Sequence, residues 1–196
     1  MGEVVLVRHG ETEWSRAGRH TGSSDVPLTA TGEEQARALG SLLRRRSFLL
    51  VLTSPLQRAT RTAELAGLPP ALPEPDLREW DYGSYDGRTT ADISRERPRW
   101  TIWDGGTPDG ETVEQVGARA DRVLGRVRAQ LASADGDVAV VGHGHALRVL
   151  AARWLDLPPA CGRLFRLDTA TMSVLSEEHH WPALRRWNVA PEDPEE

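Results

Sequence analysis

The chain has 196 residues, of which 39% are hydrophobic and 27% charged, with a net charge of −5. At roughly 150 residues per domain this is one soluble globular unit rather than a disordered chain, and no run of about 18 apolar residues is present to span a membrane. The acidic balance speaks against bulk nucleic-acid binding, the single Cys161 rules out an internal disulfide, and the absence of lysine (all 24 basic side chains are arginine) excludes a Schiff base, a lysine general base and a Walker-type lysine.

The chain opens directly on a strand-like run rather than a leader, which makes the cytoplasm the expected location. Val4 to Val7 reads as a short buried strand. A helix is expected to open around Leu28 to Gly32, carrying Ala36, Leu39, Leu42 and Leu43 at helical spacing. Leu49 to Leu52 reads as a second buried strand, and Ser54-Pro55 directly after it suits an N-cap and first helical position. That helix runs to about Ala66. Residues 67–110, rich in Pro, Gly and Trp, read as an excursion over the sheet with one short helix at Thr90 to Arg95.

From Glu111 to Leu131 the helical period is clearest, with Val116, Ala120, Val123, Leu124 and Val127 on one face. Val138 to Val141 is a third apolar strand, and a helix is expected from about Ala146 to Leu155. Leu164–Leu167, Met172–Ser176 and Ala183–Trp187 read as later edge strands. Residues 1–190 are therefore expected to form a single α/β domain, a three-layer α/β/α sandwich on a mostly parallel central sheet, with 191–196 a frayed acidic tail.

The chemistry gathers where the apolar strands stop. The first ends in Arg8-His9-Gly10, the third in His143-Gly144-His145, and the second in Ser54-Pro55 with Arg58 one turn later. Ligands of open α/β sheets sit beyond the carboxyl ends of the strands. Adjacent parallel strands would bring Arg8, His9, Arg58 and His143 together as a pocket for a compact, multiply charged anion, with guanidinium forks matched to phosphate oxygens. His143 and His145 could alternatively be a metal pair, but a third protein ligand is lacking, so no metal and no cofactor is expected.

Arg8-His9-Gly10-Glu11-Thr12 resembles the signature of the histidine phosphatase superfamily, the phosphoglycerate-mutase-like proteins. The resemblance continues in order through Trp14-Ser15, His20-Thr21-Gly22, Asp25 to Thr29, Ser54 to Ala59, Leu77 to Gly87, Gly110-Glu111-Thr112 and Val141 to Arg148. It implies that His9 is a nucleophile forming a phosphohistidine, that Arg8, Arg58 and His143 clamp the phosphoryl oxygens, and that Glu79 is the acid and base. It further implies substrate contacts at Ser15, Thr21, Gly22, Tyr82, Gly144 and His145, with His20 beside them. Neighbouring Arg8 and Arg58 would keep His9 neutral. Glu11 and Glu111 are taken as structural. Trp80, Trp100 and Trp103 wall the pocket or merely pack.

The stretch from Glu79 to Glu111 is short and lysine is absent, unlike in the phosphoglycerate mutases. The blocks resemble instead the branch holding sedoheptulose-1,7-bisphosphatase and bacterial acid phosphatases. The reading that follows is a metal-independent phosphomonoesterase acting on small phosphorylated metabolites such as sugar phosphates and bisphosphates. Cofactor-dependent phosphoglycerate mutase activity and a non-catalytic phospho-ligand module are the alternatives. Expected partners are a small phosphorylated substrate, with no nucleic acid or membrane. The apolar C-terminal strands with Trp181 and Trp187 are candidates for a homodimer contact or for packing.

Overall fold

Alternation along the central strands decides the layers. Val4 and Leu6 bury into one apolar cluster and Val5 and Val7 into another, and Val138 and Val140 part from Ala139 and Val141 in the same way. Strands buried on both faces in this manner need helices above and below them.

The computed structural model describes residues 2–191. In chain order it runs β1 (Val4–Arg8), α1 (Glu13–Arg16), α2 (Ala30–Ala38), α3 (Gly40–Leu43), β2 (Phe48–Thr53), α4 (Gln57–Leu65), β3 (Leu72–Pro73), α5 (Thr90–Glu96), α6 (Ile102–Gly105), α7 (Val113–Ser133), β4 (Asp137–Gly142), α8 (Gly144–Trp154), β5 (Met172–Glu178) and β6 (Trp181–Val189). The six-stranded sheet has the order β3-β2-β4-β1-β5-β6. β3, β2, β4 and β1 are parallel, while β5 and β6 are antiparallel additions at one edge. One face packs under α7, α8 and the excursion, whose Trp80, Tyr85, Ile93 and Trp100 join that core; α2, α3 and α4 cover the other. The expected acidic tail lies outside the described residues apart from Pro191.

Local signals explain the boundaries. α7 starts at the N-cap Thr112, whose side chain accepts from Gln115 N–H while Gln115 caps back. α2 starts after Thr29, whose side chain accepts from Gly32 N–H.

Two expectations need correction. Ser54-Pro55 does not cap α4: the N-cap is Leu56, with no side-chain cap, because the Ser54 hydroxyl instead accepts Leu56 N–H at 3.3 Å and bonds His143. Leu164–Leu167 is not a strand. It leaves a 3₁₀ turn over Pro159–Leu164, Leu164 is 70% exposed, and a strand would have put Leu164 on one face with Arg166 and opposite Leu167. The excursion also contributes the edge strand β3 and a second short helix, α6, neither of which was expected.

Candidate active site

The parallel ladders bring the strand ends level. Arg8 pairs with Gly142 and Thr53 with Val141. His9 N–H then donates to Gly142 O at 3.0 Å and Ser54 N–H to Val141 O at 2.9 Å. The residues that follow β1, β2 and β4 therefore emerge side by side, at the carboxyl end of the sheet.

His9 is buried, and its Nδ1 faces Gly10 O at 2.7 Å. A carbonyl only accepts, so Nδ1 carries the proton and Nε2 keeps its lone pair. Burial first, then Arg58 and Arg8, hold the imidazole well below its ordinary value of 6.5. His9 thus presents a neutral, pre-oriented nitrogen with a free lone pair to a cleft of ≈ 210 Å³. The sequence reading credited the arginines with that neutrality; burial is the larger cause.

Arg8 lines the same cleft. One Nη of its guanidinium donates to Leu167 O, while the buried Nε has no protein partner. Gly144 makes room for it, since a Cβ there would stand 3.3 Å from Arg8 Cζ. Gly144 also opens α8, where the first N–H groups have no carbonyl of the helix to bond. The cleft thus holds an orphaned guanidinium donor beside a helix N-terminus, the surroundings an oxyanion satisfies.

Arg58 and His143 lie behind His9 rather than in the cleft wall, and both are fully buried. Arg58 Nε donates to His143 Nδ1 at 3.1 Å, which leaves His143 Nε2–H to donate to Ser54 Oγ at 2.7 Å. The His9 and His143 rings meet edge-on with centroids 5.1 Å apart. With both His143 nitrogens occupied inside the protein, the metal-pair alternative has no geometry here. Among the described residues, no group of three or more His, Cys, Asp or Glu side chains is placed to hold a metal ion.

Glu79 is buried at the first turn of α8. Its Oε1 accepts Trp80 N–H at 2.9 Å and Ala146 N–H at 2.8 Å, and its Oε2 accepts His145 N–H at 3.0 Å. The helix N-terminus therefore holds the carboxyl against the cleft, with two N–H groups on Oε1 and one on Oε2.

The outer wall is aromatic and basic. Tyr82 O–H and His145 Nδ1 are 2.6 Å apart. Burial pushes the Tyr82 phenol well above 10 and His145 well below 6.5, so a neutral phenol donates to a neutral imidazole. His20 packs on Tyr82 at 4.8 Å, and Thr21, Arg19 and Arg148 complete the rim. Trp80 and Trp100 are packing residues whose indole N–H groups donate to Glu111 O and Gly106 O; Trp103 lies against His145 and Arg148.

Two expected substrate contacts are otherwise engaged. Gly22 N–H donates to Asp86 Oδ1 at 2.7 Å, and Gly22 lies outside the cleft lining. Ser15 does line it, but its one hydroxyl proton goes to Thr12 O at 3.0 Å while its oxygen accepts Thr12 N–H. Glu11 and Glu111 lie outside the cleft lining and accept from Thr29 and Arg119 respectively.

Sequence reasoning missed Ser54, Asp86, Arg119 and Arg148. Arg148 was inside a quoted block and carried a signal, lying one turn after Gly144 on the same helix. Ser54 and Asp86 also lay inside blocks that carry the resemblance, whereas Arg119 acts through backbone groups distant in sequence and nothing local marks it.

Together the fold and the cleft define an α/β protein that presents a neutral histidine nitrogen beside an unpartnered guanidinium donor. The chain belongs to the histidine phosphatase superfamily (branch 1), whose family model matches residues 4–190. It is 43% identical over 178 residues to an acid phosphatase of Mycobacterium tuberculosis, covering 90% of this chain and 87% of that protein. It is 38% identical over 183 residues to the sedoheptulose 1,7-bisphosphatase of Saccharomyces cerevisiae, covering 78% of this chain and 67% of that one. The solved structure of an open reading frame product of Mycobacterium tuberculosis superposes with a TM-score of 0.93 at 40% identity, covering 97% and 99% of the two chains. The family and these relatives support a phosphatase enzyme. Among the described residues no helix is long and apolar enough to cross a membrane.

Proposed function

We propose that this protein hydrolyses phosphate monoesters of small metabolites, sugar phosphates and bisphosphates foremost, through a phosphohistidine on His9. The observation that carries the reading is the pairing of a neutral His9, with Nε2 unprotonated, and the orphaned Arg8 Nε in one cleft. Nε2 attacks phosphorus in line, the bond to the leaving alkoxide breaks, and Glu79 gives that oxygen a proton. Water then attacks the phosphohistidine and gives its proton to Glu79, which restores free His9 and releases inorganic phosphate.

Phosphoryl transfer asks mainly for position and charge. Arg8 and the Gly144 N–H meet the oxygens, and Arg58 with His143 sets His9 from behind. The Tyr82–His145 pair and Thr21 face the rest of the substrate. The relatives named acid phosphatase and sedoheptulose 1,7-bisphosphatase favour a phosphorylated metabolite as that substrate.

The test is phosphate release from a panel of sugar monophosphates and bisphosphates, nucleoside monophosphates, phosphoglycerates and an aryl phosphate, with His9→Ala as control. His9-dependent release is expected, together with a phosphohistidine trapped by rapid quench. Turnover retained in His9→Ala would sink the proposal. With no release from any ester, conversion of phosphoglycerate in the presence of bisphosphoglycerate would favour the mutase reading.

A further inference from the structure

Residues 76–81 carry Glu79 but form no strand or α-helix, so their carbonyls have few partners of their own. One side chain gathers them. Arg119, on α7, is buried; its Nη1 donates to Asp76 O at 2.7 Å and to Arg78 O at 2.8 Å, and its Nη2 donates to Glu79 O at 3.1 Å. The remaining donors fork onto Glu111, Nε to Oε1 at 2.7 Å and Nη2 to Oε2 at 2.9 Å. All five guanidinium N–H groups are used.

Glu111 closes the other side of the loop. Its Oε2 also accepts Asp81 N–H at 2.9 Å, its N–H donates to Asp81 O at 3.0 Å, and its carbonyl accepts Trp80 Nε1–H at 2.9 Å. Backbone groups on both sides of Glu79 are therefore fixed by one ion pair, while the Glu79 carboxyl points away from it toward α8. Glu79 is the partition between the catalytic cleft and a second cavity of ≈ 280 Å³, and Arg119 and Glu111 line only that second one.

We infer that Arg119 and Glu111 are positioning residues for the reaction, a brace that sets the Glu79 carboxyl where it can protonate the leaving oxygen. The inference rests on reading Glu79 as the acid. A planar five-donor fork is suited to this, because it fixes several carbonyls at defined angles where a lysine would hold them loosely. A displacement of about 1 Å can cost roughly 10²-fold in rate, within the 10²–10⁴-fold that a general acid supplies.

The test compares Arg119→Lys and Glu111→Gln with wild type on glycerol phosphate, a poor leaving group, and p-nitrophenyl phosphate, a good one. In both variants kcat/KM, which reports phosphoryl transfer to His9 and not the later hydrolysis common to all esters, is expected to fall about 10- to 100-fold on glycerol phosphate and less than about threefold on the aryl ester. In a Glu79→Gln background, Arg119→Lys should cost nothing further on glycerol phosphate. A merely structural role would instead reduce both substrates alike and add to the Glu79→Gln loss, and either result overturns the inference. Should Arg119→Lys fail to fold, Glu111→Gln, which retains the guanidinium, answers the same question. Glu79→Gln alone separates the two readings. Equal loss of kcat/KM on both esters removes the acid role and the brace with it, whereas a leaving-group-dependent loss of kcat/KM in Glu79→Gln that both brace variants lack removes only the brace.

Discussion

Arg58 Nε donates to His143 Nδ1 at 3.1 Å, and the same guanidinium grips the carbonyls of Thr21, Gly22 and Ser24 through its Nη groups. One buried cation thus ties the residue after β4 to the loop that follows α1. Arg58→Met keeps the bulk and removes every donor. Allowing for some access of water, the loss should be roughly 2–4 kcal/mol, from about 1–3 kcal/mol for each buried acceptor left bare. Urea denaturation measures it. A loss below about 0.5 kcal/mol, the scale of an ordinary surface substitution, would mean that the loop carbonyls find other partners. Activity should fall with it, because His143 loses the bond that orients it behind His9.

The buried histidines set how stability responds to acid. His9 and His143 are both held well below 6.5, in each case by burial first and Arg58 next. Below about pH 6.5 the unfolded chain takes up protons at these positions and the folded chain does not, so the unfolded state binds more protons and stability falls with falling pH. Each histidine contributes at most about 1.4 kcal/mol per pH unit, from just above pH 6.5 down to its folded value. Unfolding free energies at pH 7.5, 6.5 and 5.5 should show that slope, and His143→Asn should lessen it. Stability that is flat or rises on acidification would contradict neutral buried histidines. The same neutrality predicts that kcat/KM on an aryl phosphate does not drop between pH 7 and pH 6.

Much of this site was legible because its parts sit at strand ends. Val4–Val7 and Val138–Val141 announce themselves as apolar runs, and His9 and His143 follow them directly. The long periodic helix α7 and the N-cap Thr112 were equally readable. Arg58 was not legible as a buried residue. An arginine one turn into a helix ordinarily points to water, and only the carbonyls of residues 21–24, brought over by tertiary structure, make burial tolerable. Ser54 misled for a related reason: its sequence position favours a cap, but the neighbouring strand delivers His143 to its hydroxyl. The apolar pair Leu164 and Leu167 imitated a strand because sequence alone does not reveal that Leu164 faces solvent.

Ser15 distinguishes a hydroxyl that lines the cleft from one that serves the substrate. Its oxygen accepts Thr12 N–H at 2.9 Å and its proton goes to Thr12 O, which completes the cap of α1. Ser15→Ala should therefore cost about 1 kcal/mol of stability, the usual size of a lost cap. A hydrogen bond to a charged phosphate is worth about 1.5–3 kcal/mol, so its loss would raise KM by more than about tenfold. We expect a change under about threefold. A tenfold rise in KM would instead show that the hydroxyl turns from Thr12 to the phosphoryl group.

Two glycines on helices make opposite predictions for the same added methyl. Gly125 lies on the exposed face of α7, and a Cβ there meets nothing within 4 Å. Gly125→Ala should stabilise by about 0.5–1 kcal/mol through helix propensity, with activity unchanged. Gly32 lies in the first turns of α2, where a Cβ would stand 2.1 Å from Glu11 O; Gly10 is crowded in turn, its own Cβ position lying 2.3 Å from Gly32 O. These are backbone atoms and cannot swing aside, so the helix and the segment after His9 must separate. Overpacking of this kind costs about 1–3 kcal/mol, which outweighs the propensity gain. The displaced segment includes Gly10, whose carbonyl fixes the His9 tautomer at 2.7 Å. Gly32→Ala should thus lower kcat as well as the melting temperature, although Gly32 does not line the cleft. A Gly32→Ala protein as stable and active as Gly125→Ala would show that α2 can move without carrying the nucleophile's loop.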